Sequence, residues 1–121
     1  YRATALALGK PAQELEPADI TSRAMAAECP VCVSTVDTFC ALLGSVCGDF
    51  VLATGAYGGL YLAGGIVPAI LPVLEKSSFS SRFEQKGEMQ PILAQVPRFA
   101  IIGTTTGLLG AAQANLGPGA A

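Results

Sequence analysis

The chain has 121 residues, a formal net charge of −2 and a pI of about 4.9, and its length is that of one domain. Its seven basic residues are scattered, which excludes the electrostatic footprint of a nucleic-acid-binding domain and a polybasic membrane anchor. Only 13% of the residues are charged, against about 25% in typical soluble domains, so we expect lipid or protein outside this sequence to cover part of the surface.

The first thirty residues predict two helices joined by a polar loop. The opening YRATALALGK lacks the pattern of a signal peptide, and we interpret it as the middle of a helix that begins upstream. Residues 9–18 carry two prolines and predict a loop. We expect Asp19 to cap the next helix and Pro30 to open the one after it.

A long amphipathic helix is predicted from Val33 onward. Gly44 and Gly48 lie one turn apart and would let another backbone approach this helix closely, and Gly55 is a candidate C-cap. Apolar residues recur at steps of three and four and predict a buried stripe: Val36, Cys40, Leu43, Cys47 and Val51.

The second half of the chain predicts two strands among short helices. LYLA at residues 60–63 has strand length and ends at Gly64 and Gly65, and we interpret it as buried on both faces. Pro68 is predicted to start a helix that Pro72 kinks. Residues 77–95 predict two short helices separated by Gly87.

A second strand, VPRFAIIG, follows with Arg98 at its start and with Ile101 and Ile102 directed toward the core. TTTGLLGAAQANL predicts a last helix capped by one of Thr104 to Thr106, and LGPGAA a frayed tail. Strands that alternate with helices indicate an α/β fold with parallel pairing. Two parallel strands do not stand alone, so the remaining strands are expected to come from sequence outside this chain.

The uncharged stretch from Phe50 to Leu74 is long enough to span a bilayer. It contains five glycines and two prolines, and Lys76 is the only basic residue near either end. We therefore favour a strand that turns through Gly64 and Gly65 toward a ligand, since ligands of open α/β sheets bind at the carboxyl ends of the strands.

Four cysteines, Cys29, Cys32, Cys40 and Cys47, leave three alternatives open. The CPVC pair could be half of a zinc site or a redox pair, but the chain has no histidine and no second CxxC, and no strand precedes the pair. We favour small apolar residues on the buried side of a helix. We expect no metal site, and no catalytic triad or phosphate-binding loop motif occurs. The carboxylates considered as a base, Asp49, Glu84 and Glu88, are interpreted as solvated or capping groups.

The motifs GD, GGLYLAGGIVP, SSFSSRFEQKG and GLLGAA occur in this order between about Pro17 and Ala112. Together they resemble the C-terminal part of the bacterial-type glucokinases, in the sugar kinase, heat-shock ATPase and actin superfamily. The resemblance implies an actin-like, ribonuclease H-like large domain, of which residues 1–121 are a fragment without the N-terminal lobe. It implies a helical connecting region at 19–55, a strand and adenosine elbow at 58–67, and C-terminal helices and a strand at 68–121.

Within that resemblance, Gly64, Gly65 and Ile66 match the adenosine motif and would contact ATP, while Gly44 and Gly48 would pack at an interdomain hinge. The implied activity is phosphorylation of glucose to glucose 6-phosphate with ATP and magnesium by a cytoplasmic homodimer, without nucleic acid or membrane as partner. The catalytic base and the glucose-binding residues are expected upstream of Tyr1, so this chain would hold no catalytic residue. Members of that family often carry a basic residue after GIVP, where this chain has Ala69, which puts a charge contact there in doubt. The alternatives are a sugar-binding regulator of the same superfamily and a membrane-protein fragment.

Overall fold

Helices and two short strands alternate along the part of the chain that the structure, a computed structural model, describes: residues 1–103 and 105–114. This arrangement confirms the predicted mixture of helices with a parallel pair of strands. The elements, in chain order, are α1 (Arg2–Ala7), α2 (Pro17–Met25), α3 (Pro30–Thr54), β1 (Leu60–Leu62), α4 (Ile66–Leu74), α5 (Phe79–Glu84), a 3₁₀ turn (Gly87–Met89), α6 (Gln90–Leu93), β2 (Arg98–Ala100) and α7 (Thr106–Ala114).

Helix α3 is the central element, and both of its predicted ends are confirmed. Pro30 occupies the first helical position, where its missing N–H costs no hydrogen bond, and Cys29 is the N-cap. At the other end Gly55 adopts the left-handed conformation, with φ 65° and ψ 24°. The predicted stripe faces the core: four of its members are buried and Leu43 is partly buried.

Helix α5 packs against α3 at Gly44 and Gly48, and it is the close backbone neighbour that the spacing of these glycines predicts. A Cβ atom at Gly44 would overlap the carbonyl oxygen of Phe79, and one at Gly48 would overlap that of Phe83. The side chains of Phe79 and Phe83 are buried beside α3. The close approach is therefore made within this chain.

Strands β1 and β2 pair in parallel, with Leu60 opposite Arg98 and Leu62 opposite Ala100. Leu60, Leu62 and Ala100 pack against the core. On the other face the rings of Tyr61 and Phe99 stack at 5.0 Å between centroids and are 64% and 46% exposed. The expectation that β1 is buried on both faces is wrong for this chain, because no described element covers the second face.

Three local expectations also differ from the structure. Asp19 lies in the first turn of α2 rather than at its cap, because the helix begins earlier, at Pro17, with Glu16 as N-cap. Ile102 is 66% exposed, since β2 ends at Ala100 and the chain leaves the sheet. Helix α4 begins at Ile66, two residues before the predicted start. Thr104 and the LGPGAA tail lie outside the described residues.

The stretch from Phe50 to Leu74 is not one helix. It is divided among the end of α3, strand β1 and helix α4. Among the described residues, α3 is the one helix long and apolar enough to cross a membrane, and 39% of its most apolar window is buried inside the structure. The core of a soluble protein contains helices with the same properties, so this helix is weak evidence for a span.

Candidate functional site

The turn between β1 and α4 forms a glycine elbow, here defined as Gly64, Gly65 and Ile66. Gly64 has φ +113°, a conformation that residues with a Cβ rarely adopt. Gly65 is the N-cap of α4, with an ordinary φ of −69°. A Cβ atom at either glycine would meet no atom within 4 Å, so the elbow borders open space.

One side of the elbow opens into a cleft of about 400 Å³ at the carboxyl ends of both strands, called the strand-end cleft below. The hydrogen bond from Ile101 N to Leu62 O, 2.8 Å long, joins the residue after β2 to the last residue of β1. The hydroxyl of Thr106 donates to the Gly103 carbonyl at 3.0 Å. The cleft has no charged lining residue and is bounded by Ala63, Gly64, Gly65, Pro68, Ile101, Ile102, Gly103, Thr106 and Gly107.

The other side of the elbow borders a second cleft, of about 420 Å³, between α2 and α4, called the α2–α4 cleft below. The Thr21 hydroxyl donates to the Pro17 carbonyl at 3.0 Å, which leaves its oxygen lone pairs available. None of the lining residues is charged: Pro17, Ala18, Thr21, Ser22, Met25, Gly65, Ile66 and Ala69.

The two clefts meet at Gly65, which lines both of them. The α2–α4 cleft offers apolar walls and two hydroxyls, a surface suited to a flat heterocycle. The strand-end cleft lies against the first turns of α4 and α7, where free backbone N–H groups and the helix dipole favour negative charge. Together they make a candidate site, whose chemistry matches a ligand with one flat apolar part and one anionic part.

The structure brings the three predicted residues of the elbow together and adds a wall that sequence reasoning missed. That wall is the face of α2 formed by Pro17, Thr21 and Met25, with Ala18 and Ser22 beside them. The residues recur at steps of four, which places them on one helical face. The periodicity could have identified the face but not the element opposite it. Ala69, singled out in the sequence for its lack of charge, lies in the same cleft.

The charged residues considered as a base line neither cleft. Asp49 forms an ion pair with Lys86, whose Nζ atom lies 2.6 Å from the carboxylate, and this Nζ atom also donates to the Ser45 carbonyl at 2.9 Å. Glu84 pairs with Arg98 at 2.6 Å, and the guanidinium lies 5.1 Å from the centre of the Phe83 ring. These contacts tie the segment after α5 to α3, and α5 to β2. Within residues 1–103 and 105–114 no three His, Cys, Asp or Glu side chains are grouped so that they could hold a metal ion.

All four cysteines are free thiols, and three of them are buried. The expected apolar role is therefore confirmed for Cys32, Cys40 and Cys47, whereas Cys29 is only half-buried. Burial raises the pKa of Cys32 to about 11 and raises the pKa values of Cys40 and Cys47 from their ordinary value. Hydrogen bonding from the Cys32 side chain, and then from its N–H, lowers the pKa of Cys29.

Comparisons with known proteins agree on one family. The family model described as Glucokinase matches residues 1–116. The glucokinase of Aromatoleum aromaticum is 47% identical over 106 residues, which are 88% of this chain and 32% of the relative. That of Xanthomonas campestris pv. campestris is 48% identical over 98 residues, 81% of this chain and 29% of the relative. A crystal structure of glucokinase from an Antarctic psychrotroph superposes with a TM-score of 0.86 at 42% identity, covering 94% of this chain and 35% of that one. The chain spans about a third of the length of these relatives.

Proposed function

The chain belongs to the glucokinase family, and from this premise we propose that the full-length protein transfers the γ-phosphoryl group of ATP to the 6-hydroxyl of glucose. The observation that carries the proposal is the family match over residues 1–116. The glycine elbow, with a cleft on each side, agrees with it. Because the chain spans about a third of its relatives, the activity is assigned to the whole protein and the nucleotide side of the cleft to this part.

We place ATP across the two clefts, with its base and its phosphates on opposite sides of the elbow. In this arrangement the adenine ring would occupy the α2–α4 cleft, which Met25 and Ile66 line with apolar surface and Thr21 and Ser22 with hydroxyl groups. The phosphates extend into the strand-end cleft, toward the first turns of the two helices. Gly65, which lines both clefts, would then lie where the base and the ribose join, and its missing side chain would let the ligand approach the backbone.

The described residues bind and orient the nucleotide but do not perform the proton transfer. Among the described residues no carboxylate lines the strand-end cleft, so we assign the catalytic base, the glucose-binding groups and the protein ligands of magnesium to the rest of the protein. Magnesium, carried on the ATP phosphates, would neutralise the negative charge of the transferring group. The elbow and α2 orient the nucleotide, because they hold the adenosine so that the phosphates extend in one direction.

The exposed apolar surfaces support a larger fold around this unit. The stacked rings of Tyr61 and Phe99 lie on one face of the sheet. Leu42, Val46 and Phe50 recur at steps of four along α3 and are exposed. We assign the sheet face to the remaining strands and helices of an actin-like, ribonuclease H-like domain. A structure of the full-length protein that leaves this face bare would refute that assignment.

The oligomeric state and the location of the protein are part of the same proposal: a cytoplasmic homodimer with no nucleic acid or membrane partner. Sedimentation equilibrium tests the dimer, and a monomer at micromolar concentration would contradict it. Alkaline carbonate extraction tests the location. Helix α3 is long and apolar enough to span a membrane, and extraction distinguishes that role from burial in a soluble protein. Retention of the full-length protein in the washed membranes would contradict the cytoplasmic assignment.

The decisive experiment adds a side chain to the elbow. Gly65→Val keeps an allowed φ and points into open space, so it occupies the ligand's room without disturbing the fold. In the full-length protein we expect the KM for ATP to rise by about tenfold or more, equivalent to about 1.4 kcal/mol, with little change in the KM for glucose.

The matched control is Gly58→Val. Gly58 also has open space around it and no positive φ, but it precedes β1, at the opposite end of the strand from the elbow. Its kinetic constants should equal those of the unmodified protein. An unchanged KM for ATP in Gly65→Val, or an equal rise in both variants, would remove the elbow from the nucleotide site.

A further inference from the structure

Two of the four cysteines stand together at the start of α3. Cys29 is the N-cap and Cys32 the third helical residue, with Pro30 at the first position between them. The Cys29 sulfur accepts a hydrogen bond from the Cys32 N–H at 3.3 Å. This contact places the two side chains at the same turn of the chain. A disulfide requires Cβ atoms about 3.5–4.5 Å apart, so the pair closes by a rearrangement confined to that turn.

The two thiols have unequal environments. Cys32 is fully buried, whereas Cys29 is half-buried and accessible from solvent. The pKa of Cys29 is lowered by hydrogen bonds from Cys32, with a smaller contribution from the charge of Arg23. Burial raises the pKa of Cys32. The accessible Cys29 sulfur is thus the better nucleophile, and the buried Cys32 thiol stays protonated beside it.

The apolar role that explains the buried cysteines does not explain Cys29. A thiol is a weak hydrogen-bond acceptor, and serine, aspartate or asparagine is preferred at an N-cap. Cys40 and Cys47, on the same helix, are buried and have no second cysteine within one turn. They therefore serve as internal references for an unreactive thiol.

We propose that Cys29 and Cys32 form a peroxide-reactive dithiol, in which Cys29 is oxidised first and Cys32 resolves it to a disulfide. The Cys29 thiolate attacks one oxygen of a hydroperoxide, the O–O bond breaks, and an alcohol or water leaves with a proton from solvent. The Cys32 thiol then attacks the Cys29 sulfenic acid, forming the S–S bond and releasing water. Two thiols lose two electrons and two protons, and the hydroperoxide accepts them. This proposal does not depend on the kinase activity.

The test uses the native protein treated with hydrogen peroxide, then blocked with an alkylating agent and digested. We expect the peptide that contains both cysteines to lose two hydrogen atoms at least about tenfold faster than Cys40 or Cys47 is oxidised, and a dithiol reductant to restore it. Equal rates at all four cysteines, or oxidation of Cys29 beyond the sulfenic acid without a disulfide, would overturn the proposal.

Two variants separate the roles of the thiols. Cys32→Ser should accumulate a sulfenic acid at Cys29 that a cyclic 1,3-diketone traps, and Cys29→Ser should leave Cys32 as unreactive as Cys47. Cys47→Ala is the control and should close the disulfide at the rate of the unmodified protein. A Cys32→Ser protein without trapped Cys29 would refute the order of the steps. If that variant does not fold, the peptide measurement on the unmodified protein still decides the proposal.

Discussion

Replacing Gly44 of α3 by alanine tests the packing of α3 on α5. The new methyl group would overlap the Phe79 carbonyl oxygen and lie 2.9 Å from the carbonyl carbon and 3.0 Å from the Cα atom of the same residue. These are backbone atoms, so no side-chain rotation relieves the contact. Helix α5 would have to move away from α3, which disturbs the buried rings of Phe79 and Phe83.

The expected magnitude is the difference between two effects. Alanine is better than glycine inside a helix by about 1 kcal/mol, which favours the variant. Overpacking of a close contact costs about 1–3 kcal/mol, and contact with fixed backbone places Gly44→Ala at the upper end of that range. We therefore expect the free energy of unfolding to fall by about 1–2 kcal/mol.

Urea denaturation of the protein, followed by far-ultraviolet circular dichroism, measures this difference as a lower midpoint at an unchanged slope. The matched control is Gly110→Ala in α7, where a Cβ atom would meet nothing within 4 Å. This control should gain up to about 1 kcal/mol from helix propensity alone. If Gly44→Ala were as stable as the control, the close approach of α5 would not be a constraint and the explanation of Gly44 would be wrong.

Two further predictions concern charge and pH. Arg98→Met should lower the free energy of unfolding by about 1–2 kcal/mol, because it breaks a 2.6 Å ion pair with Glu84 in which both side chains are only about a quarter exposed. The control is Arg2→Met, which breaks an exposed 3.4 Å ion pair with Glu14 and should change the free energy of unfolding by less than about 0.5 kcal/mol. Equal urea midpoints for the two variants would contradict this ranking. Raising the pH should destabilise the fold, because burial raises the pKa of Cys32 from its ordinary value of 9.0 to about 11. The folded state then holds this proton more tightly than the unfolded chain, so the stabilisation is complete below pH 9 and is lost as the pH rises to 11. Urea midpoints across this window should fall less steeply in Cys32→Ala, and identical profiles would show that Cys32 is not the cause.

The features of this chain that depend on residues adjacent in the sequence could be predicted. Pro30 and Gly55 marked the ends of α3, and the spacing of its apolar residues identified the buried side. Gly87 separated the two short helical segments that the structure shows on either side of it. Boundaries were less accurate where two start signals compete: Pro17 and Asp19 both suit the start of α2, and Ile66 precedes Pro68 in α4.

The candidate site was predicted only in part. Gly64 and Gly65 could be identified because two glycines after an apolar strand permit a sharp turn and a close approach. Their neighbours on α2 could not, because nothing in the local pattern of Pro17 to Met25 indicates which element lies opposite. Likewise, the exposure of Tyr61 depends on whether another element covers the sheet, which a strand of apolar residues does not reveal.

By itself, the sequence determined the order of the helices and strands, which side of α3 is apolar and which two glycines of that helix admit a close neighbour. These features follow from backbone hydrogen bonding, side-chain shape and periodicity. The tertiary structure alone decided that α5 is that neighbour, that α2 faces the elbow across a cleft and that Cys29 remains accessible while Cys32 is buried. The physical reason is that these contacts join residues distant in the chain, and the choice among possible partners is made by the packing of the whole core.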